Sequence, residues 1–151
     1  MSNSTLEPGA EVSSEDQYQL DQQVGHILRL ASQRHAAIFQ ANSINDLTPT
    51  QFAAVVQLAQ MGECSQNRLG RMTAMDVATI KGVVDRLSKK GFVQLRRDES
   101  DKRRTLISLT AKAQALVGEL HQIGAEISAK TLQPLTASEQ RNFLRLLRKL
   151  T

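Results

Sequence analysis

With 151 residues, 40% of them hydrophobic, the chain is long enough for one domain with a buried core. A net charge of +4 suits a polyanionic partner without proving one. No apolar run of about 20 residues predicts a membrane span, and the polar, acidic start does not resemble a signal peptide. Because the single cysteine, Cys64, excludes an internal disulfide, we expect a cytoplasmic protein.

Motifs for catalysis or metal binding do not occur in the sequence. The one cysteine and the histidines at 26, 35 and 121 lack the spacing of a zinc site. There is no glycine-rich phosphate loop and no nucleophile motif. We therefore expect neither an enzyme nor a bound cofactor.

The first 41 residues divide into a tail and a helix. Residues 1–14 are rich in Ser, Glu, Gly and Pro, which predicts disorder. A long helix is predicted from about 15 to 41, because mostly apolar side chains recur every three or four residues along one stripe: Leu20, Val24, Ile27, Ala31, His35 and Ile38. His35 on that stripe is either a packing histidine satisfied by a neighbour or at a subunit contact, or a polar anchor for an acidic ligand.

A second helix follows the signature of a capping box. Thr48 is its predicted N-cap, Pro49 takes the first helical position, and Gln51 returns to the cap. The residues expected on its buried side are Phe52, Val55, Val56, Ala59 and Met61. Residues 62–64 then lead onward as a candidate short strand. Cys64 in this stretch is either inert packing or a redox switch, which would require a lowered thiol pKa and access.

Two short helices and a turn come next. Ser65 is a good N-cap, Leu69 and Met72 form an apolar pair, and residues 73–75 make the turn. The following helix is predicted from about Asp76 to Lys90 and ends at Gly91 in the left-handed conformation. Its apolar stripe consists of Val77, Ile80, Val83, Val84 and Leu87.

The opposite face of that helix is short or hydrogen-bonding at its leading end and basic further along: Ala78, Thr79, Lys81, Gly82, Arg86 and Lys89. Such a face can enter a DNA major groove, with Thr79 at a base edge or thymine methyl and Lys81 at a guanine or phosphate. The alternative is a solvated basic surface, which is common in helices.

A hairpin with a charged tip follows. One strand is predicted over 92–96 and its return includes Leu106, Ile107 and Leu109. The intervening stretch carries basic residues around acids that could hold the arginines by paired contacts, and its candidate DNA-binding residues are Arg97, Asp101, Lys102, Arg103 and Arg104. An extended arginine fits a narrow minor groove; the alternative is a solvated loop.

Positive charge is concentrated in this region. Between positions 81 and 104 there are nine Lys or Arg residues and four acids, so the rest of the chain is near neutral. Two helices complete the chain. Thr110 caps a long one through about Leu132, with a stripe of Leu116, Leu120, Ile123 and Ile127. Thr136 and Glu139 form a capping box for a leucine-rich last helix that needs a partner.

The stretch from Asp85 to Thr110 resembles the signature of the MarR family of bacterial winged helix-turn-helix regulators. The matching residues are Asp85, Arg86, Leu87, Lys90, Gly91, Phe92, Val93, Asp98, Asp101, Lys102, Arg103, Leu109 and Thr110. Three positions depart from the family's habit: Ala78 replaces a common serine, Gly82 a frequent arginine, and Glu99 the usual proline. The departures predict a thinner base readout and a more mobile wing tip.

The resemblance implies a mainly α fold with a small β-wing. It implies one domain over 15–151, with a DNA-binding lobe over about 48–110 and dimerisation helices over about 15–41 and 110–151. Amphipathic helices alone would equally allow packing within one chain.

The resemblance also implies a homodimer on a pseudo-palindromic operator in double-stranded DNA and a small effector that releases it. We expect a repressor. Because members of the family often sense aromatic carboxylates, phenols or related catabolites, and because Arg29, Arg34, His26 and His35 are available, the resemblance implies an aromatic or heteroaromatic acid as effector. Its candidate binding residues are His26, Arg29, Arg34, His35 and Phe52. The alternatives are an oxidant sensor acting through Cys64 and a winged module that binds protein rather than DNA.

Overall fold

The structure is a computed structural model that describes residues 18–151. The predicted tail and the first residues of the predicted first helix lie outside the described part. The helices are α1 (Val24–Asn42), α2 (Pro49–Met61), α3 (Gln66–Met72), α4 (Val77–Lys89), α5 (Ala111–Leu132) and α6 (Ala137–Leu147). The strands are β1 (Cys64–Ser65), β2 (Val93–Arg97) and β3 (Thr105–Leu109), and short 3-10 turns cover Leu20–Gln22 and Arg148–Leu150. The mainly α fold with a small sheet is therefore confirmed.

The chain divides into two units, the first ending at Arg34 and the second running from His35 to Thr151. In the first unit, the prediction of a continuous helix from residue 15 is wrong. Gln23 is extended (φ −82°, ψ 129°) after the 3-10 turn, so α1 begins only at Val24. From residue 18 to the end of this unit, the large apolar residues are exposed rather than buried: Tyr18, Leu20, Val24, Ile27, Leu28 and Leu30.

The second unit is built around one hydrophobic core. Helices α2 to α5 and the sheet contribute to it, and its buried members are Leu47, Ala54, Val55, Leu58, Cys64, Leu69, Ile80, Val83, Val84, Leu87, Phe92, Val93, Ile107, Ala113 and Leu120. Two predicted core residues are instead exposed, Met72 at 54% and Val77 at 70%. They flank the turn between α3 and α4, so their side chains lie beyond the layer in which these two helices pack.

The buried stripe of α2 differs from the predicted one by about one residue. Its fully buried residues are Gln51, Ala54, Val55 and Leu58, whereas Phe52 and Val56 pack against the core half-buried. Gln51 tolerates burial because its Oε1 accepts hydrogen bonds from Lys90 Nζ at 2.9 Å and from the Thr48 N–H at 3.3 Å. A buried polar group is stable when it is paired in this way.

The four predicted N-caps, Thr48, Ser65, Thr110 and Thr136, are confirmed, and Asp76, predicted as the first residue of its helix, is a fifth. The N-cap side chains each accept the backbone N–H three residues ahead: Thr48, Ser65, Asp76, Thr110 and Thr136. At the end of α4, Gly91 has φ 76°. Its N–H donates to Ser88 O at 3.0 Å and the Phe92 N–H donates to Leu87 O at 2.9 Å, which together form a Schellman motif. This motif ends α4 and directs the chain into β2.

The sheet has the order β1-β3-β2 and both pairings are antiparallel. β2 and β3 pair along five residues, from Val93 opposite Leu109 to Arg97 opposite Thr105. β1 pairs with β3 through Cys64 opposite Ile107 and Ser65 opposite Leu106. A third strand beside the wing is therefore confirmed, although it covers 64–65 rather than the predicted 62–64. The hairpin is thus a wing joined to the α2–α3 connection by a two-residue strand.

The last helices differ in how far their apolar residues are buried. In α5, Ala113, Leu120 and Ile127 are buried. In α6 and the turn after it, no residue is fully buried, and the exposed large apolar side chains are Phe143, Leu144, Leu146 and Leu150. No helix in residues 18–151 has the length and apolar character needed to span a membrane.

Candidate nucleic-acid interface

The first turn of α4 is held by its cap. Asp76 Oδ1 accepts the Thr79 N–H at 2.7 Å, and this hydrogen bond lowers the pKa of the Asp76 carboxyl. Just before it, Ala74 has φ 53°, a conformation that L-residues rarely adopt, and the Met75 N–H returns to Gly70 O at 2.9 Å. A tight turn therefore presents the start of α4 with Ala78 and Thr79 exposed.

The two faces of α4 separate as the sequence predicts. Ile80, Val83, Val84 and Leu87 are buried. The residues predicted to face DNA lie on the other side, all of them exposed except the half-buried Gly82: Ala78, Thr79, Lys81, Gly82, Arg86 and Lys89. A short, polar leading end and a basic trailing end suit insertion into a major groove.

Two basic side chains on the exposed face of α4 make contacts within that face. Lys81 Nζ lies 3.3 Å from Asp85 Oδ2 one turn later, with both side chains exposed. A Cβ built on Gly82 would lie 3.4 Å from Arg86 Nη1. The guanidinium of Arg86 therefore extends back over the glycine, toward the leading half of the helix. The side chain missing at position 82 is replaced in space by Arg86.

The wing tip is organised by hydrogen bonds from its acids to its backbone. Asp98 Oδ1 accepts from the N–H and the hydroxyl of Ser100 at 2.9 and 2.7 Å, which lowers the pKa of the Asp98 carboxyl. Asp101 Oδ1 accepts the Arg103 N–H at 3.0 Å. The sequence predicted that these acids would hold arginines by paired contacts. A contact of this kind joins Arg104 Nη1 and Asp98 Oδ2, which are 3.9 Å apart. The acids thus shape the loop more than they hold its arginines.

The cations of the tip are presented to solvent. The exposed residues here are Arg97, Asp101, Lys102, Arg103 and Arg104. Arg103 and Arg104 also line an open groove with Thr105 and with Ser65, Gln66 and Asn67 at the start of α3. The pairing of β1 with β3 brings the start of α3 beside the wing base.

Two long-range contacts were not predicted from the sequence. The Arg96 guanidinium forms a two-pronged ion pair with Glu63, and Lys90 Nζ donates to Asp46 O at 2.6 Å as well as to Gln51. Glu63 and Arg96 are 33 residues apart, and Lys90 and Asp46 are 44 apart. No local spacing signals either contact.

The candidate effector residues fall in both units. In the first unit, Arg29 Nη2 donates to His26 Nδ1 at 3.2 Å, and Arg34 is exposed. Since an arginine cannot accept a hydrogen bond, His26 Nδ1 is the acceptor. These residues place a guanidinium and an imidazole side by side on α1.

In the second unit, His35 Nδ1 lies 2.8 Å from Thr131 Oγ1, and that hydroxyl donates to Ile127 O at 2.9 Å. His35 is therefore satisfied by a neighbour, as one of its two predicted interpretations required. Phe52 packs edge-on against Phe39, with ring centroids 5.6 Å apart. It also covers Gly124, because an added Cβ there would lie 3.0 Å from Phe52 Cζ.

Cys64 is 4% exposed and belongs to the core. Burial raises the pKa of its thiol, with Arg68 opposing the effect in part. A reactive cysteine needs the reverse, a lowered pKa and access. Both observations favour the packing interpretation. Among residues 18–151, no group of three or more His, Cys, Asp or Glu could hold a metal ion.

A helix-turn-helix followed by a basic β-wing defines the winged-helix class of DNA-binding proteins. The family described as MarR family matches residues 47–105. The chain is 40% identical to the HTH-type transcriptional repressor NicR of Pseudomonas putida over 134 residues, covering 88% of this chain and 85% of NicR. This protein therefore belongs to the MarR family of transcriptional regulators.

Two solved structures are similar along nearly the whole fold. A probable transcriptional regulator from Pseudomonas aeruginosa is 49% identical with a TM-score of 0.85, covering 88% of this chain and all of that one. Bordetella bronchiseptica BpsR, whose DNA binding is regulated by 6-hydroxynicotinic acid, is 37% identical with a TM-score of 0.83. The match covers 88% of this chain and 96% of BpsR.

Proposed function

We propose that this protein is a repressor that binds a pseudo-palindromic operator as a homodimer and is released by a small aromatic or heteroaromatic acid. The DNA-binding part of this proposal rests on which face of α4 is buried and which is exposed. Ile80, Val83, Val84 and Leu87 bury one face of α4, and its leading end is exposed beside a wing tip with four exposed basic side chains. A basic surface of this shape fits the phosphates and grooves of duplex DNA.

In this proposal α4 enters the major groove with Thr79 at a base edge and with Lys81, Arg86 and Lys89 toward bases or phosphates. The wing residues Lys102, Arg103 and Arg104 follow the flanking backbone. An extended arginine, Arg103 first among them, reaches the narrow minor groove. Asp101 acts indirectly, since its carboxylate binds the Arg103 N–H and so shapes the loop.

The homodimer is supported by apolar surface on α6 and on the first unit. Phe143, Leu144 and Leu146 are exposed on a helix that is otherwise polar, and contiguous exposed apolar surface marks interaction sites. A second copy of the chain would cover it. Two recognition helices would then read half-sites about one helical turn, roughly 34 Å, apart. Release would follow if the effector favoured a spacing of these helices that misfits the operator.

The effector class is supported by similarity to BpsR and by side chains suited to an acid. Arg29 with His26, and Arg34, offer positive or hydrogen-bonding groups, and Phe52 offers an aromatic edge; His35 is the fifth candidate. A guanidinium binds a carboxylate in a two-pronged fashion, and aromatic rings pack edge to face. We propose these five residues as effector-binding and 6-hydroxynicotinic acid as the first compound to test.

The test is fluorescence anisotropy with a duplex recovered by random-sequence selection on this protein. Binding is measured at several salt concentrations, with 6-hydroxynicotinic acid, benzoic acid and nicotinamide, the last as a neutral matched control. We expect steep salt dependence and release by one of the acids but not by nicotinamide. Salt-independent binding would refute the DNA-binding proposal, and release by the neutral amide alone would refute the acid class. Release should persist in Cys64→Ser, which separates the acid from an oxidant signal.

A further inference from the structure

The wing is attached unevenly along its length. At its base, the Schellman motif of α4 leads into Val93, and the Thr110 hydroxyl donates to Gly91 O at 2.6 Å. Toward the tip, β2 is an edge strand that pairs only with β3. β1, on the other side of β3, contributes two paired residues. The backbone alone therefore anchors the base of the wing more firmly than its tip.

One side-chain contact bridges the sheet near the tip. Arg96 Nε donates to Glu63 Oε2 at 2.8 Å, and Arg96 Nη2 donates to Glu63 Oε1 at 2.5 Å. Arg96 lies on β2, one residue before the strand ends, and Glu63 directly precedes β1. The pair thus spans β3, joining the edge strand to the connection between α2 and α3. A two-pronged guanidinium–carboxylate contact defines orientation as well as distance.

We propose that Glu63 and Arg96 form a clamp that orients the wing for DNA binding. Both are positioning residues, and the proposal rests on the proposed operator-binding function. The clamp fixes the last residues of β2. It therefore determines where the basic side chains of the wing tip, above all Arg103, lie relative to α4. The hydrogen bonds that Arg96 donates to Glu63 also raise the pKa of Arg96, as expected for a guanidinium stabilised in its charged form.

The clamp and simple electrostatics predict opposite effects for Glu63→Gln. Removing a carboxylate adds one positive charge to the protein near its DNA-binding surface, which by charge alone tightens binding to DNA. If Glu63 positions the wing through Arg96, the same change weakens binding, because the tip contacts are no longer held in register. Whether Glu63→Gln weakens or tightens DNA binding therefore decides between the clamp and the effect of charge alone.

Glu99→Gln is the matched control. Glu99 is an exposed residue of the wing tip, outside the proposed DNA-binding set, and its replacement adds the same charge. Against the selected duplex at fixed salt, we expect Glu99→Gln to bind as tightly as the wild type or more tightly. We expect Glu63→Gln to bind roughly three- to tenfold more weakly, the range of a coupled exposed contact. Tighter binding by Glu63→Gln would overturn the clamp.

A double-mutant cycle provides a readout that general destabilisation would not move. Arg96→Gln also removes a positive charge, so the readout is the coupling: Arg96→Gln should cost less affinity in the Glu63→Gln background than in the wild type, because either change opens the same contact. Arg103→Ala should cost less affinity in the Glu63→Gln background than in the wild type. Additive losses in both cycles would overturn the proposal.

Exchanging the two residues, Glu63→Arg with Arg96→Glu, keeps the net charge and can rebuild the pair. We expect this double variant to recover most of the affinity lost by either single change, with thermal melting confirming that each variant is folded. If Arg96 bound DNA directly, the exchange would not restore affinity. If Arg103→Ala has no effect even in the wild type, the wing part of the proposed function fails, which is distinguishable from failure of the clamp.

Discussion

The core of the second unit and its terminal helix α6 use the same apolar residue types in opposite ways. In the core, Leu69, Ile107 and Leu120 are 0% exposed and packed by helices and sheet. In α6 and the turn after it, four of the five large apolar side chains are between 36% and 72% exposed, and the fifth, Leu147, is half-buried. The winged-helix lobe therefore contains its own hydrophobic core within one chain. The apolar face of α6 is left for another surface, which we propose is a second copy.

Both regions have amphipathic sequences, and periodicity alone does not distinguish them. A 3.6-residue repeat says that a helix has an apolar face, but not whether that face is covered by the same chain. The exposed fraction of each side chain makes the difference. The following substitutions test it, beginning with the largest expected effect.

Ile107→Ala should unfold the lobe most readily. Ile107 is fully buried on the central strand β3, and truncation of such a residue costs about 2–5 kcal/mol of unfolding free energy because it leaves a cavity. Urea denaturation followed by circular dichroism measures the loss. Ile107→Val is the control, at about 0.5–1.5 kcal/mol. A loss for Ile107→Ala no larger than that of the valine variant would contradict the packing described here.

Leu146→Glu should act on assembly rather than on the core. Leu146 is 46% exposed on α6, so a charge there leaves the lobe intact but is costly in a dimer contact, by roughly 2 kcal/mol or more. Sedimentation equilibrium should give a dimer for the wild type and a larger monomer fraction for the variant. Ser138→Glu, which adds a charge to an exposed position of the same helix, should remain dimeric. Equal average masses for the two variants would contradict the proposal that the apolar face of α6 forms the dimer contact.

Thr79→Ala tests the exposed face of α4 in the lobe. Loss of a base contact should reduce discrimination at one base pair of the operator by about 1–3 kcal/mol while leaving the salt dependence unchanged. Anisotropy against single-substitution duplexes measures this. Ser88→Ala removes an exposed hydroxyl from the last turn of the same helix and should not alter discrimination. An unchanged base preference in Thr79→Ala would remove Thr79 from the proposed readout.

Thr110→Ala probes the junction between the wing and α5. Its hydroxyl accepts the Ala113 N–H and donates to Gly91 O, so its removal should cost about 1 kcal/mol of unfolding free energy. Thermal or urea unfolding is the measurement, and Thr110→Ser, which keeps the hydroxyl, should recover most of the stability. Equal stability of the alanine and serine variants would show that the cap contributes nothing.

The smallest effect is the pH dependence of the α6 start. The Thr136 N–H lowers the pKa of the Glu139 carboxyl below its ordinary value of 4.5. This contribution is present above the ordinary pKa and is lost as pH falls through the lowered folded value. Helical circular dichroism from about pH 5 to about pH 2 should reveal a small loss that is reduced in Glu139→Gln, which can cap but cannot titrate. Identical titrations of both proteins would contradict it.

Interactions within a few residues could be predicted well from the sequence. The caps at Thr48, Ser65 and Thr136, and the left-handed Gly91, depend on atoms only three to five residues apart, so local spacing was sufficient. The wing and the short strand β1 also followed from the residue pattern. The exposed and buried faces of α4 were predicted correctly except at Val77, which is exposed, and Gly82, which is half-buried.

Interactions across long sequence separations could not be predicted. The burial of Gln51 depends on Lys90, and the partner of His35 is Thr131, 96 residues away. In the wing tip, Asp98 and Asp101 accept hydrogen bonds from backbone N–H groups. That they do so rather than pair mainly with arginines depends on the turn geometry of the whole loop.

The sequence by itself determined the helices and, except at the start of α1, their ends, together with the left-handed turn after α4, the hairpin and the concentration of positive charge. These features depend on local hydrogen bonds and on residue periodicity. Only the tertiary structure decided which apolar faces are covered within the chain, where the Arg86 guanidinium lies, and that Glu63 meets Arg96 across the sheet. Each of these depends on how separate elements pack, and packing brings together side chains whose distance in the sequence carries no signal.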